Sequence, residues 1–374
     1  MFYRRFGKTN LLLSAFSLGT MRCLASEAVM EETVNQAIAL GINHIETARG
    51  YGKSELYLGN ILQKLDRKNF YITSKICPTE NAEQMRSQIE ESLTRLQIDY
   101  LDCLAIHGIN TDEHLKLISN PNGCLQAIKE ALNEGKIRHL GFSTHGSLEL
   151  IIKTIQTDLF EFVNLHYYYF FQRHEAAIAL AQEKDLGVFI ISPMDKGGML
   201  HTPPETLTQL CQPFTPMELN YRFLLSDRRI TTLSIGPANA EQLINPLQIA
   251  NQDFPLTPDE KLIFERLEKQ ETETLGSDRC RQCYQCLPCP EAINIPEVLR
   301  LRNLAIAYNM TEFGQYRYQM FENAGHWFPG KKGNRCTECG DCLPRCPEQL
   351  EIPKLLKDSH QRLNGSPRRR LWEA

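Results

Sequence analysis

The sequence predicts an α/β protein in which a (β/α)8 barrel precedes a smaller, mainly α-helical domain. Its 374 residues fit one barrel of about 250 residues plus a module of about 100. Short β-rich runs alternate with amphipathic helical segments from residue 14 to residue 236. Eight of the 13 cysteines lie after residue 279. We therefore assign residues 1–274 to the barrel and residues 275–374 to the second domain.

Charge and hydrophobicity argue against two classes of partner. A net charge of −4 and a pI near 6.2 provide no basic surface for nucleic acid. The tail SPRRRLWEA, residues 366–374, is basic but short, as solvated chain ends often are. No apolar run approaches the roughly 18 residues that a membrane span needs. We expect neither a nucleic acid nor a membrane as a partner.

The start of the chain, FYRRFGKTNLLLSAFSLGT, combines a twin arginine with a short apolar run. Lys8 and Asn10 crowd that run, and the first barrel strand uses it better than an export signal does. We therefore predict a cytoplasmic protein. Because the cytoplasm is reducing, its cysteines are expected to bind metals or clusters rather than to form disulfides.

The barrel strands follow one another in a regular order. The eight candidates are SAFSLGT, INHIETA, NFYITSKI, YLDCLAIHG, HLGFST, EFVNLHY, GVFIISP and TTLSIG. Segments such as SEAVMEETVNQAIAL, SELYLGNILQKL and ENAEQMRSQIEESLTRL between them repeat apolar residues at helical spacing. Eight such units predict a TIM (β/α)8 barrel, and a doubly wound open sheet is the alternative with the same alternation.

Two connections of the predicted barrel are long, residues 108–124 after the fourth strand and residues 194–216 after the seventh. Long loops at the carboxyl ends of barrel strands usually shape a substrate pocket. A charged helix at residues 257–276 then leads to the cysteine-rich region.

Two cysteine runs dominate the second domain, CRQCYQCLPCP and CTECGDCLPRCP. The second run has the bacterial ferredoxin spacing, and the first is one residue shorter before its last cysteine. Since each fourth cysteine of such runs ligates the other cluster, we predict two [4Fe-4S] clusters. Their ligand sets are Cys280, Cys283, Cys286 and Cys346, and Cys336, Cys339, Cys342 and Cys289.

The alternative metal is zinc, which uses separated C-x2-C pairs and does not need a third cysteine at the same step. The segment between the runs looks helical, so the domain resembles an α-helical ferredoxin-like domain. Most of the scattered cysteines are expected to be small buried residues. They are Cys23, Cys77, Cys103, Cys124 and Cys211.

Four polar residues lie at or just beyond consecutive strand ends: Glu46, Tyr51, Lys75 and His107. Catalytic groups of TIM barrels collect at this face. A tyrosine beside a lysine is a plausible proton donor, because the ammonium lowers the phenol pKa. A carboxylate can hold the lysine, and a histidine can orient a carbonyl oxygen.

These residues, with the motifs around them, resemble the aldo/keto reductase family, in particular members with a C-terminal ferredoxin domain. The motifs YRRFGKTN, IETARGYGKSE, YITSKI, YLDCLAIHG, GKIRHLGFST, MDKGGML and LSIGPANAEQL fall in the family's order. The resemblance implies that Tyr51 is the general acid, that Lys75 and Glu46 tune it, and that His107 orients the carbonyl. The family usually has aspartate where Glu46 stands.

The resemblance also implies a nucleotide site for NADP or NAD. Asn164 stands where the family has a glutamine for the nicotinamide amide, with Ser143 nearby. The loop that begins at Gly236 carries no basic residue for a ribose 2′-phosphate, although backbone N–H groups of a helix beginning at Asn239 can face a phosphate.

The favoured function is NAD(P)H-dependent reduction of a small carbonyl substrate to an alcohol. Residues 166–168, HYY, suggest a partly aromatic mouth for that substrate. One alternative is a ferredoxin-linked reductase without nicotinamide, served by ferredoxin or another one-electron carrier. The other is a non-enzymatic electron relay or redox-responsive protein that uses the barrel as a scaffold.

Overall fold

The chain begins with a β-hairpin that the sequence did not predict as a separate element. The structure, a computed structural model, describes residues 1–365, so the basic tail at 366–374 lies outside the described part. Strand β1 (Tyr3–Arg5) pairs antiparallel with β2 (Leu12–Ser14). Gly7, between them, has φ +54, and a Cβ there would lie 2.2 Å from the Gly187 nitrogen. Only glycine fits this turn.

Eight parallel strands follow and close into a barrel, in which the last strand pairs with the first. They are β3 (Phe16–Gly19), β4 (His44–Glu46), β5 (Tyr71–Ile76), β6 (Leu101–Ile106), β7 (Ile137–Ser143), β8 (Phe162–Leu165), β9 (Gly187–Ile190) and β10 (Thr232–Ile235). Each lies within one of the eight predicted segments or overlaps it. The TIM barrel is confirmed, and the open sheet is wrong.

Helices follow the strands as parallel connections require. Those before β10 are α1 (Glu27–Ala39), α2 (Ser54–Leu62), α3 (Ala82–Leu96), α4 (Asp112–Ser119), α5 (Cys124–Asn133), α6 (Leu148–Ile155), α7 (Glu175–Glu183), α8 (Glu205–Cys211) and α9 (Pro216–Ser226). Both long connections thus contain short helices, α4 and α8. A 3₁₀ turn (Ala240–Leu243) and α10 (Ile244–Leu247) follow β10.

The remaining helices are α11 (Pro258–Leu275), α12 (Ile295–Tyr308), α13 (Thr311–Tyr318) and α14 (Ile352–Leu363). Helix α11 begins with a capping box, in which Thr257 and Glu260 each accept a backbone N–H of the other, and Pro258 occupies the first turn. None of the helices within residues 1–365 is long and apolar enough to cross a membrane.

The chain forms two compact units. Of the described residues, one unit contains 1–197 and 220–255, and the other contains 198–219 and 256–365. Helix α11 belongs to the second unit, where Arg266 donates hydrogen bonds to the carbonyls of Leu210 and Gln212. The assignment of residues 1–274 to the barrel domain and of residues 275–374 to the second domain stays a prediction.

The barrel interior holds a buried histidine among apolar side chains. The Nδ1 and Nε2 atoms of His44 lie 2.7 Å from the hydroxyls of Ser17 and Thr73. Burial, followed by the charge of Lys75, lowers the pKa of His44 from 6.5 to about 3. His44 is therefore neutral at physiological pH.

This histidine predicts a loss of stability in acid. The unfolded chain binds a proton near pH 6.5, whereas folded His44 resists it down to about pH 3. The free energy of unfolding should therefore fall as pH drops below 6.5, by up to about 2 kcal/mol at pH 5 for this one residue. Urea unfolding at pH 7 and pH 5 measures the loss. The variant His44→Asn should show a smaller loss, and an equal loss in both proteins would contradict the assignment.

Candidate active site and cluster sites

The carboxyl ends of β4 and β5 hold a buried ion pair. Glu46 Oε1 lies 2.5 Å from Lys75 Nζ, and the two side chains are only 5% and 2% exposed. Lys75 Nζ also donates to the Thr47 carbonyl at 2.8 Å and to the Tyr51 hydroxyl at 3.3 Å. Three oxygen atoms thus lie within 3.3 Å of the Lys75 ammonium, as a buried cation requires.

A tight turn before α2 positions the tyrosine. The Tyr51 N–H donates to the Ala48 carbonyl, and the Tyr51 carbonyl accepts from Ser54. Burial raises the pKa of Tyr51, and Glu46 adds to the rise, whereas Lys75 opposes it. The expected lowering by Lys75 is present, but burial outweighs it. The phenol therefore carries its proton at neutral pH.

Lys75 keeps its charge in the same site. Burial lowers its pKa, but the neighbouring Glu46 and Tyr51 outweigh burial, so that the net pKa is raised. Its Nζ lies 4.7 Å from the centroid of the Tyr51 ring. The charge closest to the phenol is therefore positive.

His107 completes the group of four predicted catalytic residues. Its ring packs edge-on against Tyr51, with centroids 5.7 Å apart and an interplanar angle of 84°. Burial, followed by the charges of Lys75 and Lys196, lowers the pKa of His107 to about 3. A neutral imidazole can donate one hydrogen bond but is not a proton source at physiological pH.

The adjoining strand ends carry the predicted nicotinamide contacts. Ser143 of β7 and Asn164 of β8 are partners in the strand register. The Ser143 hydroxyl accepts from the Gly108 N–H at 3.1 Å. The Asn164 side chain is fully buried, and neither polar atom of its carboxamide has a hydrogen-bond partner within residues 1–365. Such orphaned atoms are costly, and the carboxamide of a nicotinamide is chemically suited to pair with them.

The loop after β10 differs from the sequence expectation in two ways. Arg22, which follows β3, donates from its guanidinium to the Gly236 carbonyl at 3.1 Å, so a cation that the sequence analysis missed lies beside this loop. The Asn239 side chain accepts from the Gln242 N–H, and the Gln242 side chain accepts from the Ala238 N–H. These two N–H groups are thus already hydrogen-bonded, and the expected helix begins as a four-residue 3₁₀ turn.

The predicted aromatic mouth is mostly buried. Tyr167 stacks on Phe223, and the Tyr168 hydroxyl donates to the Ile191 carbonyl. His166 contacts the Tyr168 hydroxyl, and its Nε2 lies 3.1 Å from His145 Nδ1. His145 was not predicted as a site residue, although it lies just after β7, and a position at the end of a strand is what indicated the four candidate catalytic residues.

Among the scattered cysteines, only Cys77 is exposed, and the other four are buried as expected. In the second unit, one cavity is lined by Cys289, Cys336, Cys339 and Cys342, which is one of the two predicted ligand sets. Members of the other set are close enough to interact electrostatically, since Cys283 and Cys346 act on Cys280, and Cys280 and Cys283 act on Cys286. Burial is the largest influence on Cys280 and raises its pKa to about 11.

The residues fit the predicted clusters. Four thiols around one cavity match the donor set of a [4Fe-4S] cluster, whereas zinc needs no run of three. N–H groups also reach the sulfurs: Gln282 Nε2 donates to Cys280 Sγ, and the Glu338 N–H donates to Cys336 Sγ, both at 3.4 Å. The assignment of each cysteine to a cluster stays a prediction.

The two cysteine runs are also conformational repeats. Each has left-handed residues at equivalent places, before and after its second cysteine and three residues after its last one. The pairs are Gln282 and Glu338, Tyr284 and Gly340, and Ala292 and Gln349. Each run then leads into a helix that starts Ile-Pro, α12 or α14.

Comparisons with known proteins agree with this arrangement. A family profile described as "Aldo/keto reductase family" matches residues 15–268, and a profile described as "4Fe-4S dicluster domain" matches residues 279–351. An uncharacterized oxidoreductase, YqkF, of Bacillus subtilis (strain 168) is 23% identical over 284 residues, covering 66% of this chain and 90% of that protein.

Two enzymes with assigned names match shorter stretches. L-galactose dehydrogenase of Arabidopsis thaliana is 34% identical over 154 residues, which are 37% of this chain and 47% of that enzyme. NADH-specific methylglyoxal reductase of Escherichia coli (strain K12) is 25% identical over 221 residues, which are 51% and 67% of the two chains.

Among solved structures, an aldo-keto reductase from Bacillus halodurans in its holo form has a TM-score of 0.63 at 22% identity. The match covers 71% of this chain and 96% of that one, which shows the shared fold. Because the first family profile covers more than half of its length, this chain belongs to the aldo/keto reductase family of oxidoreductases, and a 4Fe-4S dicluster domain follows its barrel.

Proposed function

We propose that the protein uses NADPH or NADH to reduce a small carbonyl compound to an alcohol. The observation that carries the proposal is the buried Glu46–Lys75 ion pair at the barrel mouth, whose ammonium contacts the hydroxyl of the half-buried Tyr51, with the neutral His107 ring against Tyr51. Its chemistry is that of a preorganised proton donor beside a hydrogen-bond donor. The name of the Escherichia coli relative supports both a nicotinamide and a small carbonyl substrate.

The chain's own residues have distinct parts in this reaction. The bound nicotinamide would supply hydride to the carbonyl carbon. Tyr51 would give its proton to the carbonyl oxygen, and the Lys75 ammonium would stabilise the phenolate left behind. Glu46 would hold Lys75 in place. His107, neutral at physiological pH, would orient the carbonyl oxygen through a hydrogen bond rather than protonate it.

The nucleotide would be held by its nicotinamide end. The unpaired carboxamide of Asn164, beside Ser143, is the group suited to the nicotinamide amide. Arg22, beside Gly236, is the cation suited to a nucleotide phosphate. In the second unit the two sets of four cysteines would bind [4Fe-4S] clusters.

A second candidate function rests on those cysteines. Clusters pass one electron at a time, whereas a nicotinamide delivers two as hydride. In this second candidate function the protein would be a ferredoxin-linked reductase that uses no nicotinamide. Ferredoxin or another one-electron carrier would be its partner. A non-enzymatic relay or redox-responsive protein is the third reading, in which Tyr51 and Lys75 have no catalytic part.

An anaerobic titration of cluster-loaded protein with NADPH, and separately with NADH, separates these candidates. Nicotinamide fluorescence reports binding, and absorbance and EPR report the clusters. We expect saturable binding, weakened about fivefold in Asn164→Leu, because about 1 kcal/mol of hydrogen bonding is lost. Asn60→Leu, on the exposed face of α2, is the control. Absence of binding by either nucleotide would overturn the carbonyl reductase and favour the ferredoxin-linked enzyme or the relay.

A further inference from the structure

The two cysteine runs differ in chemistry at one of their equivalent positions. Gln282 and Glu338 each stand just before the second cysteine of their run, and both have a left-handed φ of 58°. The first is a neutral amide and the second is a carboxylate. The two runs thus have an amide in one case and a carboxylate in the other at the position just before the second cysteine.

Gln282 is held against a ligand sulfur. Its Nε2 donates to the Pro296 carbonyl at 2.9 Å and to Cys280 Sγ at 3.4 Å. Pro296 lies in the first turn of α12, so the helix start fixes where the amide points. The side chain therefore provides an N–H···S hydrogen bond to the first cysteine set.

Glu338 cannot do the same. Its backbone N–H donates to Cys336 Sγ, but its side chain is exposed and ends in carboxyl oxygens, with no N–H group to offer a sulfur. Two further acidic residues, Glu291 and Asp341, line the cavity of the second cysteine set. Arg345 lines the cavity as well, and its guanidinium donates to the backbone carbonyls of Asp341 and Pro288.

The first set lacks this excess of carboxylates in its own run. Arg281, between Cys280 and Cys283, lies 3.4 Å from Glu348, so that these two charges offset each other. Reduction adds negative charge to a cluster and its sulfurs. Hydrogen bonds to the sulfurs favour the reduced state, whereas nearby carboxylates oppose it.

We propose that Gln282 makes the site of Cys280, Cys283, Cys286 and Cys346 easier to reduce than the site of Cys336, Cys339, Cys342 and Cys289. This inference rests on the two-cluster assignment proposed above. When the domain holds one electron, that electron would reside at the Gln282 site. When an electron passes between the two sites, the second site is oxidised as the first is reduced, and no bond or proton changes place. Gln282 is thus a positioning residue for electron flow.

An anaerobic potentiometric titration of the full chain, followed by EPR, tests this order. Iron and sulfide analysis first establishes loading, and Cys339→Ser identifies the signal of the second site. We expect the first site to be reduced first. Gln282→Leu should lower the equilibrium constant for reduction of the first site about tenfold, which is about 59 mV for one electron. Gln282→Glu should lower that constant further.

Two matched variants complete the design. Glu338→Gln removes an exposed carboxylate and should raise the reduction potential of the second site. The difference in reduction potential between the two sites should then become smaller. Gln285→Glu adds the same charge as Gln282→Glu at an exposed position of the same run, and should have the smaller effect.

The outcomes are distinguishable. A wild-type chain that holds no clusters ends both the proposed function of the domain and this inference. The inference on Gln282 is overturned, without affecting the proposed function, if the loaded wild-type chain reduces its second site first. It is also overturned if Gln282→Leu leaves the order of reduction and the difference in potential unchanged. If Gln282→Leu fails to fold or load, Gln282→Glu decides, because an unchanged difference in reduction potential between the two sites of that variant also overturns the inference.

Discussion

Replacing Tyr51 with phenylalanine is expected to lower the rate of carbonyl reduction by about 10²–10⁴-fold, the usual contribution of a positioned general acid. The phenol is the proton donor of the proposed reaction, and Phe keeps the ring that packs on His107 and Lys75. Stopped-flow measurement of nicotinamide oxidation with a small aldehyde gives the rate. Because only the hydroxyl is removed, nucleotide affinity should change little.

Tyr57→Phe is the matched control. Tyr57 is a tyrosine of α2 whose ring lies near Lys53 rather than Lys75. Its loss of a hydroxyl should leave the rate unaltered. Full turnover in Tyr51→Phe would exclude Tyr51 as the acid and would favour the electron relay, which does not need it.

The second large effect is expected from Lys75→Met, which leaves the Glu46 carboxylate buried without its ammonium. Breaking a buried ion pair on one side typically costs about 3–5 kcal/mol of folding free energy. Catalysis should fall as well, since no cation remains to stabilise the Tyr51 phenolate. Urea unfolding and turnover measure the two losses separately.

A double variant and a surface pair sharpen this test. Glu46→Gln combined with Lys75→Met removes both charges, so much of the stability should return while activity stays low. Lys64→Met breaks an exposed pair with Glu31 and should cost less than about 1 kcal/mol. If Lys75→Met were no more destabilising than Lys64→Met, Glu46 would not depend on Lys75 for its burial.

Much of the barrel, and the grouping of the candidate catalytic residues at its mouth, could be predicted because local patterns specify them. Alternating β and helical segments indicate parallel strands, and residues at strand ends meet at one face by geometry. That rule brought Glu46, Lys75, Tyr51 and His107 together correctly. It did not predict the hairpin of β1 and β2, whose pairing depends on the turn at Gly7 closing against Gly187.

The proposed nucleotide end of the site was harder to predict, because its groups come from distant parts of the chain. Arg22 follows the first barrel strand and Gly236 follows the last, and only closure of the barrel makes them neighbours. The sequence led us to expect a helix beginning at Asn239 whose backbone N–H groups are free to bind a phosphate. The Asn239 and Gln242 side chains satisfy two of these groups, which a residue pattern does not reveal.

By itself the sequence determined the order of eight strands, the two cysteine runs and the residue types at the barrel mouth. These follow from spacing and from the chemistry of thiols, carboxylates, lysine and tyrosine. The tertiary structure decided which charges are buried together and which hydrogen-bond groups stay unpaired. It decided the protonation state of the site as well, since burial raises the pKa of Tyr51 although Lys75 opposes it. The physical reason is that desolvation depends on everything packed around a group, whereas a motif contains only its neighbours in the chain.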